Sequence, residues 1–117
     1  MALPKPDVIL VTSMMTYWYQ GVLHVIRLLK DKYPDVPVIL GGIYATLCPE
    51  HALEHTSADF YISGEGEVSV LEKVSVITGK RLSYIPDLND LDSLPYPAFD
   101  LLHLQDALCL LTARGCP

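Results

Sequence analysis

The sequence predicts an α/β fold: one parallel sheet with helices on both faces, a three-layer arrangement. Short apolar runs rich in β-branched residues alternate three times with segments of helical periodicity between residues 7 and 79, joined by connections of a few residues. Such alternation is typical of a parallel sheet. Half of the 117 residues are apolar and 19% are charged. That composition is expected when whole strands are buried on both faces.

Three segments are predicted as strands. The first is Asp7 to Ser13, an unbroken apolar run that follows two prolines. The second is Val36 to Gly42, which ends in two glycines, and the third is Asp59 to Ile62, which runs into Gly-Glu-Gly-Glu. Each is short enough for a strand and too short for a helix of ordinary length.

A predicted helix follows each strand. Apolar residues recur at helical spacing from Tyr17 to Tyr33, and Pro34 ends that helix. Pro49 to His55 is predicted as a short helix because proline is well tolerated in a first turn. The third helix is predicted over Glu67 to Ile77, with Thr-Gly as its end signal.

The repeating pattern stops after Gly79, which suggests a domain boundary. Residues 1–80 are predicted to form a partial α/β domain. Residues 81–106, with their Leu-Asp pairs and prolines, are predicted as an irregular linker with one short helical turn. Residues 107–117 contain a further apolar run, Leu108 to Thr112, which is predicted as the first strand of a different domain.

Candidate binding residues lie at or just beyond the carboxyl ends of all three predicted strands. Ligands of open parallel sheets bind beyond the carboxyl ends of the strands, and those ends carry hydroxyl, glycine and other polar or aromatic residues: Thr12, Ser13, Thr16, Tyr17, Gly41, Gly42, Gly64, Glu65 and Gly66. Several of these residues have an ordinary explanation. Glycines are common in turns, Ser13 could bond a nearby backbone group, and the helix dipole could stabilise the Glu65 carboxylate in a first turn. Their coincidence at one edge favours a ligand site.

Several classes of function are disfavoured. The sequence has no Gly-x-Gly-x-x-Gly and no Walker loop, so neither a dinucleotide nor a nucleoside triphosphate is indicated. A net charge of −6 without a Lys/Arg cluster argues against nucleic-acid binding. No apolar run reaches transmembrane length and no signal peptide is recognised, so no membrane partner is expected. Three widely spaced cysteines indicate a reducing cytoplasm.

Two side-chain groups keep alternative interpretations. His51 and His55 lie four residues apart, on one face of the predicted helix. They could be two ligands of a metal ion or two surface histidines. The sequence shows no obvious third ligand nearby, which favours the interpretation as surface histidines. Tyr17, Trp18 and Tyr19 follow the first strand. They could pack into the core and a lid, or form one wall of a site for a flat ligand.

Five stretches together carry a family resemblance. In order along the chain they are TSMMTYWYQGV, VPVILGGIYATLCPE, ADFYISGEGE, LDSLPYPAFDLL and TARGCP. This order resembles the cobalamin-binding radical S-adenosylmethionine enzymes. The resemblance implies a Rossmann-like, flavodoxin-like cobalamin-binding domain, then a linker with Leu-Asp-x-Leu-Pro-x-Pro. A radical domain would follow, whose Cys-x-x-x-Cys-x-x-Cys holds a 4Fe–4S cluster.

The resemblance also implies roles for individual residues. Ser13 and Thr16 would lie near the nucleotide tail of cobalamin, and Gly41 with Gly42 would let that tail pass. The turn from Gly64 to Gly66 would lie beside the corrin ring. Cys116 would be the first of the three cluster ligands.

The resemblance further implies that the chain is a segment of a longer enzyme. Two strand–helix units would precede Asp7, and a barrel would follow Pro117. The segment is then expected to be catalytically inactive and to bind cobalamin weakly on its own. It is also expected to form a homo-oligomer through the exposed sheet edge at Val8 to Val11. The parent would cleave S-adenosylmethionine reductively and then methylate, rearrange or cyclise a substrate.

The alternative is a flavodoxin-like regulatory or interaction module without a cofactor. A receiver domain of that class needs clustered acidic residues after its first strand and a lysine after its last. The sequence shows neither feature, which weakens that version of the alternative.

Overall fold

The computed structural model describes residues 4–101. These fall into two units that divide between Pro86 and Asp87. The first unit holds the strands β1 (Ile9–Ser13), β2 (Val38–Gly42) and β3 (Phe60–Tyr61) and the helices α1 (Tyr19–Lys32), α2 (Ile43–Leu47), α3 (Pro49–His55) and α4 (Gly66–Thr78). A 3-10 turn, Thr16–Trp18, precedes α1.

The strands form one parallel sheet in the order β1-β2-β3. The register places Ile9 opposite Val38 and Ser13 opposite Gly42, while Ile39 lies opposite Phe60. Because all strands run the same way, their carboxyl ends lie at one edge. This confirms the predicted α/β class with a parallel sheet.

The main core lies between one face of the sheet and the first three helices. Ile26 of α1, Val38 and Leu40 of β2, and Tyr44 of α2 are almost completely buried there. Ile9 and Val11 pack against the same cluster, as the two-residue period of a strand requires. Truncating a side chain such as Ile26 to alanine would cost about 2–5 kcal/mol.

The opposite face of the sheet carries α4. Val70 of that helix lines a cavity together with Ile39 and Ile62, and the Lys73 ammonium lies 4.7 Å from the centre of the Phe60 ring. Helices therefore cover both faces, as predicted. Leu10, at the β1 end of the α4 face, remains 55% exposed.

The element bounds match the sequence predictions closely, with one addition. The helix predicted over Pro49–His55 has those bounds, and the other two helices differ by a few residues at their ends. The sequence did not predict α2, which starts directly after Gly42. Five residues form barely more than one turn and show no periodicity to detect.

The described part of the second unit, residues 87–101, holds two short 3-10 turns, Leu91–Ser93 and Phe99–Leu101. The Asp90 carboxylate accepts a hydrogen bond from the Asp92 N–H at 3.1 Å and caps the first of these turns. The linker was predicted to hold one such turn. The predicted strand Leu108 to Thr112 and Cys116 lie outside the described residues. The predicted domain boundaries at 80 and 106 remain predictions.

None of the helices between residues 4 and 101 is long and apolar enough to cross a membrane.

Candidate functional site

A cavity of about 360 Å³ opens at the carboxyl edge of the sheet, on the face that carries α4. Five of the predicted site residues line it: Thr12, Gly41, Gly42, Gly64 and Gly66. Four apolar residues that alternate onto this face of the sheet or come from α4 form most of the rest of its wall: Leu10, Ile39, Ile62 and Val70. Val11 also borders the cavity, although its side chain packs against the main core. The three strand ends singled out in the sequence therefore meet at one cavity, which is apolar with few polar groups, as small-molecule sites usually are.

Gly42 stands where no side chain fits. Its φ is +90°, and a Cβ built on it would lie 2.5 Å from Ser13 O and 2.6 Å from Thr12 Oγ1. Both the backbone conformation and these distances exclude other residues. The second glycine of the pair thus lets β1 and β2 approach closely at the cavity.

Gly41 has a different role. Its φ is ordinary, and a Cβ built there would meet nothing closer than Ile62 O at 3.8 Å. A side chain could therefore be accommodated by the backbone. It would project on the same face as Ile39, two residues earlier, and would fill the cavity that both residues line. Glycine at this position keeps the cavity open.

Thr12 and Ser13 face opposite sides of β1. Thr12 is exposed and lines the cavity. Ser13 is only 4% exposed, and its hydroxyl donates a hydrogen bond to Met15 O at 2.8 Å. Ser13 thus fixes the loop after β1, and its side chain is not part of the cavity wall that the described residues form. The two-residue period of a strand accounts for this division.

Thr16 and Tyr17 lie in the 3-10 turn after that loop. Tyr17 is 66% exposed and Trp18 is 56% exposed, and their rings meet edge to face with centroids 5.5 Å apart. Tyr19, in contrast, packs against the main core. The predicted aromatic group is therefore divided between an exposed pair in the turn that follows β1 and a residue of the main core.

The turn after β3 positions Gly64 and Gly66. Gly64 has a φ of +78°, Glu65 is the N-cap of α4, and Gly66 is its first residue. The Gly64 N–H donates a hydrogen bond to Thr46 Oγ1 at 2.9 Å, and the Thr46 hydroxyl donates to Gly42 O at 2.9 Å. The sequence analysis missed Thr46 because it belongs to the undetected helix α2.

His51 and His55 form part of an aromatic cluster on the other face of the sheet. Their rings stack with centroids 3.9 Å apart, and His51 Nδ1 lies 2.7 Å from the Tyr44 hydroxyl. Burial, with smaller effects from Cys48, Tyr19 and Tyr61, raises the pKa of Tyr44 above its ordinary value. Within residues 4–101, no group of three or more His, Cys, Asp or Glu residues could hold a metal ion.

The comparison with known families agrees with this geometry. The model of the B12 binding domain matches residues 2–73, a range that contains all three strands and every candidate residue that lines the cavity. The chain belongs to the B12-binding domain family.

Three curated relatives are similar to this chain. An uncharacterized methyltransferase of Pyrococcus horikoshii is 27% identical over 96% of the chain. The anaerobic magnesium-protoporphyrin IX monomethyl ester cyclase of Rubrivivax gelatinosus is 29% identical over 82%. The cobalamin-dependent radical SAM methyltransferase TokK of Streptomyces tokunonensis is 34% identical over 71%. The chain spans 30%, 17% and 12% of these relatives, respectively. No solved structure matches.

Proposed function

We propose that this chain receives the nucleotide tail of cobalamin in the cavity between the carboxyl ends of β1, β2 and β3. The observation that carries the proposal is the missing Cβ at Gly41, which leaves open a cavity that any side chain there would fill. The residues present fit such a ligand, because organic ligands usually bind in an apolar cavity with a few polar groups. The wall combines apolar side chains with the Thr12 hydroxyl.

The remaining candidate residues lie around this cavity. The Ser13 hydroxyl holds the loop after β1 through Met15 O, and Thr16 and Tyr17 follow in the adjoining 3-10 turn. The exposed rings of Tyr17 and Trp18 offer an apolar surface to a flat ring system at the same edge. Gly64, Glu65 and Gly66 form the turn that borders the cavity on the β3 side.

We further propose that the chain belongs to a radical enzyme that uses S-adenosylmethionine and a 4Fe–4S cluster. The similarity to the cobalamin-dependent radical SAM methyltransferase TokK supports this proposal. Bound cobalamin supplies a cobalt centre that can carry and transfer a methyl group. Cys116 would contribute one of the cluster's thiolates. The segment by itself has no catalytic activity.

The same proposal includes the kind of partner and the cellular compartment. An acidic chain with a net charge of −6 is poorly suited to nucleic acid. Three widely spaced cysteines suit a reducing compartment, so we place the protein in the cytoplasm.

The substitution Gly41→Val tests the proposed site in the protein expressed from its complete reading frame. Valine suits a strand, and Gly41 has an ordinary φ with space for a Cβ, so the fold should persist. Overpacking the cavity should weaken hydroxocobalamin binding by about 10-fold to 100-fold. Equilibrium dialysis with detection by visible absorbance measures the affinity, and circular dichroism monitors folding.

Gly21→Ala is the matched control, because it also adds carbon at a glycine but lies on α1, where nothing is within 4 Å of the added Cβ. It should leave the affinity for hydroxocobalamin unchanged. If Gly41→Val folds and binds hydroxocobalamin as tightly as the unaltered protein, the tail does not occupy this cavity. If the unaltered protein binds none, the chain is a module of this fold without a cofactor.

A further inference from the structure

We infer that Thr46 is a positioning residue for the proposed cobalamin site, because its single hydroxyl joins the two glycine turns that border the cavity. The inference rests on the proposed function and adds to it a residue from outside the cavity wall. Gly42 ends β2 and Gly64 lies in the turn after the neighbouring strand β3, and both line the cavity. Both have positive φ values, +90° and +78°, which residues with a side chain rarely adopt.

The two hydrogen bonds of Thr46 have a fixed direction. The hydroxyl donates its proton to Gly42 O at 2.9 Å and accepts the Gly64 N–H at 2.9 Å. A hydroxyl has one proton and two lone pairs, so it can satisfy a carbonyl and an amide at the same time. Donation to the carbonyl four residues earlier is a common local arrangement in helices. Acceptance from an amide 18 residues later is a tertiary contact.

The Gly64 turn needs such a contact because β3 is short. The strand contains only Phe60 and Tyr61, and the Ile62 N–H donates to Leu40 O at 2.9 Å just beyond it. Two residues further on, the Gly64 N–H donates to Thr46. Residues 63–65 are all exposed, so packing contributes little to holding this turn.

The consequence concerns the width of the cavity. Gly64 and Gly66 form its wall on the β3 side, while Gly42 forms part of its wall on the β2 side. With both glycine turns joined through one oxygen atom, the distance between the two walls is fixed. The cavity is then preorganised, and the Gly64 turn does not have to become ordered when a ligand binds. This lowers the entropic cost of binding.

The substitution Thr46→Val tests this inference, because valine keeps the shape and removes the hydroxyl. The first measurement is amide hydrogen exchange in the protein from its complete reading frame, without cobalamin. Exchange at Gly64 should accelerate by about fivefold, the effect of losing one ordinary hydrogen bond, while exchange at Ile62 stays unchanged. Thr46→Ser retains the hydroxyl and should restore slow exchange at Gly64.

The second measurement is equilibrium dialysis with hydroxocobalamin. Thr46→Val should weaken binding by about fivefold to tenfold, and Thr46→Ser should bind as the unaltered protein does. Thr78→Val is the matched control. The Thr78 hydroxyl also donates to the carbonyl four residues earlier, Val74 O, at 2.8 Å, and accepts an N–H from Lys80 at 3.3 Å. It lies at the end of α4 away from the cavity, so its removal should leave binding unchanged.

Each outcome decides a distinct point. If the rate of amide exchange at Gly64 is unchanged in Thr46→Val, the Thr46 hydroxyl does not hold the Gly64 turn. Faster exchange with unchanged affinity for hydroxocobalamin overturns the positioning role and leaves the proposed function standing. Loss of affinity in Thr78→Val as well would show that the effect is general destabilisation, which also overturns the role. If the unaltered protein binds no hydroxocobalamin, the proposed function fails, and the binding role of Thr46 fails with it.

Discussion

At the scale of single residues, Asp59 joins the starts of two strands. Its carboxylate accepts a hydrogen bond from the Val38 N–H at 2.7 Å and another from the Lys30 ammonium on α1. Burial tends to raise the pKa of Asp59, but the hydrogen bonds from Lys30 and Val38 outweigh it, and the pKa falls below its ordinary value of 3.8. The folded state therefore favours the ionised carboxylate.

This pKa shift predicts how stability depends on pH. Because the folded pKa of Asp59 is lowered, its contribution is present above pH 3.8 and is lost as the pH falls through the lower folded pKa. Asp59→Asn should reduce the free energy of unfolding near neutral pH by about 1 kcal/mol, a modest value because the pair is partly exposed. It should also flatten the pH dependence below pH 3.8.

Urea denaturation at a series of pH values checks this prediction. Asp35→Asn is the control, because Asp35 faces Lys5 at 3.9 Å with 84% of its side chain exposed, a pair that should contribute little. Equal effects from the two substitutions would contradict the role given to Asp59.

Also at the residue scale, the predicted site divides into parts that the sequence could resolve and parts that it could not. The places of Gly41, Gly42, Gly64 and Gly66 at the cavity followed from their positions at or just beyond the ends of predicted strands. The different roles of Thr12 and Ser13 follow from strand alternation. A sequence does not show that Thr46 reaches an amide 18 residues away, because that contact depends on how α2 packs after the β2 turn.

At the scale of elements, one glycine inside α1 and one directly after α4 should change the free energy of unfolding in opposite directions when each is replaced by alanine. Gly21 lies in α1, is exposed, and has nothing within 4 Å of an added Cβ. Gly79 is the C-cap of α4 with a φ of +67°. Gly21→Ala should raise the free energy of unfolding by about 0.5–1 kcal/mol, and Gly79→Ala should lower it by about 1 kcal/mol.

Thermal unfolding followed by circular dichroism distinguishes these two effects. For a domain of this size, each 1 kcal/mol shifts the Tm by roughly 4–8 °C, so the two variants should separate clearly on either side of the unaltered protein. If Gly21→Ala lowers the Tm, α1 is not the regular helix that the contacts around Val22 and Ile26 indicate.

Most elements could be predicted from the sequence, and the physical reasons are specific. The strand at Ile9–Ser13 and the helix at Pro49–His55 were predicted correctly, because a short apolar run rich in β-branched residues and an N-terminal proline are strong local signals. Helix α2 was missed because Ile43–Leu47 is a single turn. It forms because Tyr44 and Ala45 enter the main core, which is a tertiary cause that local signals do not report.

At the scale of the whole molecule, the edge of the sheet at β1 is the feature with the clearest consequence. In the sheet formed by the described residues, β1 pairs only with β2. Leu10 is 55% exposed beside that edge, and the sequence from Asp7 to Met15 contains no lysine or proline. Natural sheet edges are usually protected by such residues, so we propose that the 117-residue polypeptide self-associates through β1.

Two copies that pair their β1 edges would satisfy backbone N–H and C=O groups of Ile9–Ser13 and cover Leu10 together. Sedimentation at low micromolar concentration should therefore give a mass well above the 13.0 kDa of one chain. Leu10→Lys places a charge beside the edge and should shift the population to monomer. Leu53→Lys makes the same change at a leucine of α3 that is 58% exposed, and it should leave the assembly intact. A monomer of the unaltered polypeptide, or equal dissociation by both lysine variants, would exclude β1 as the contact.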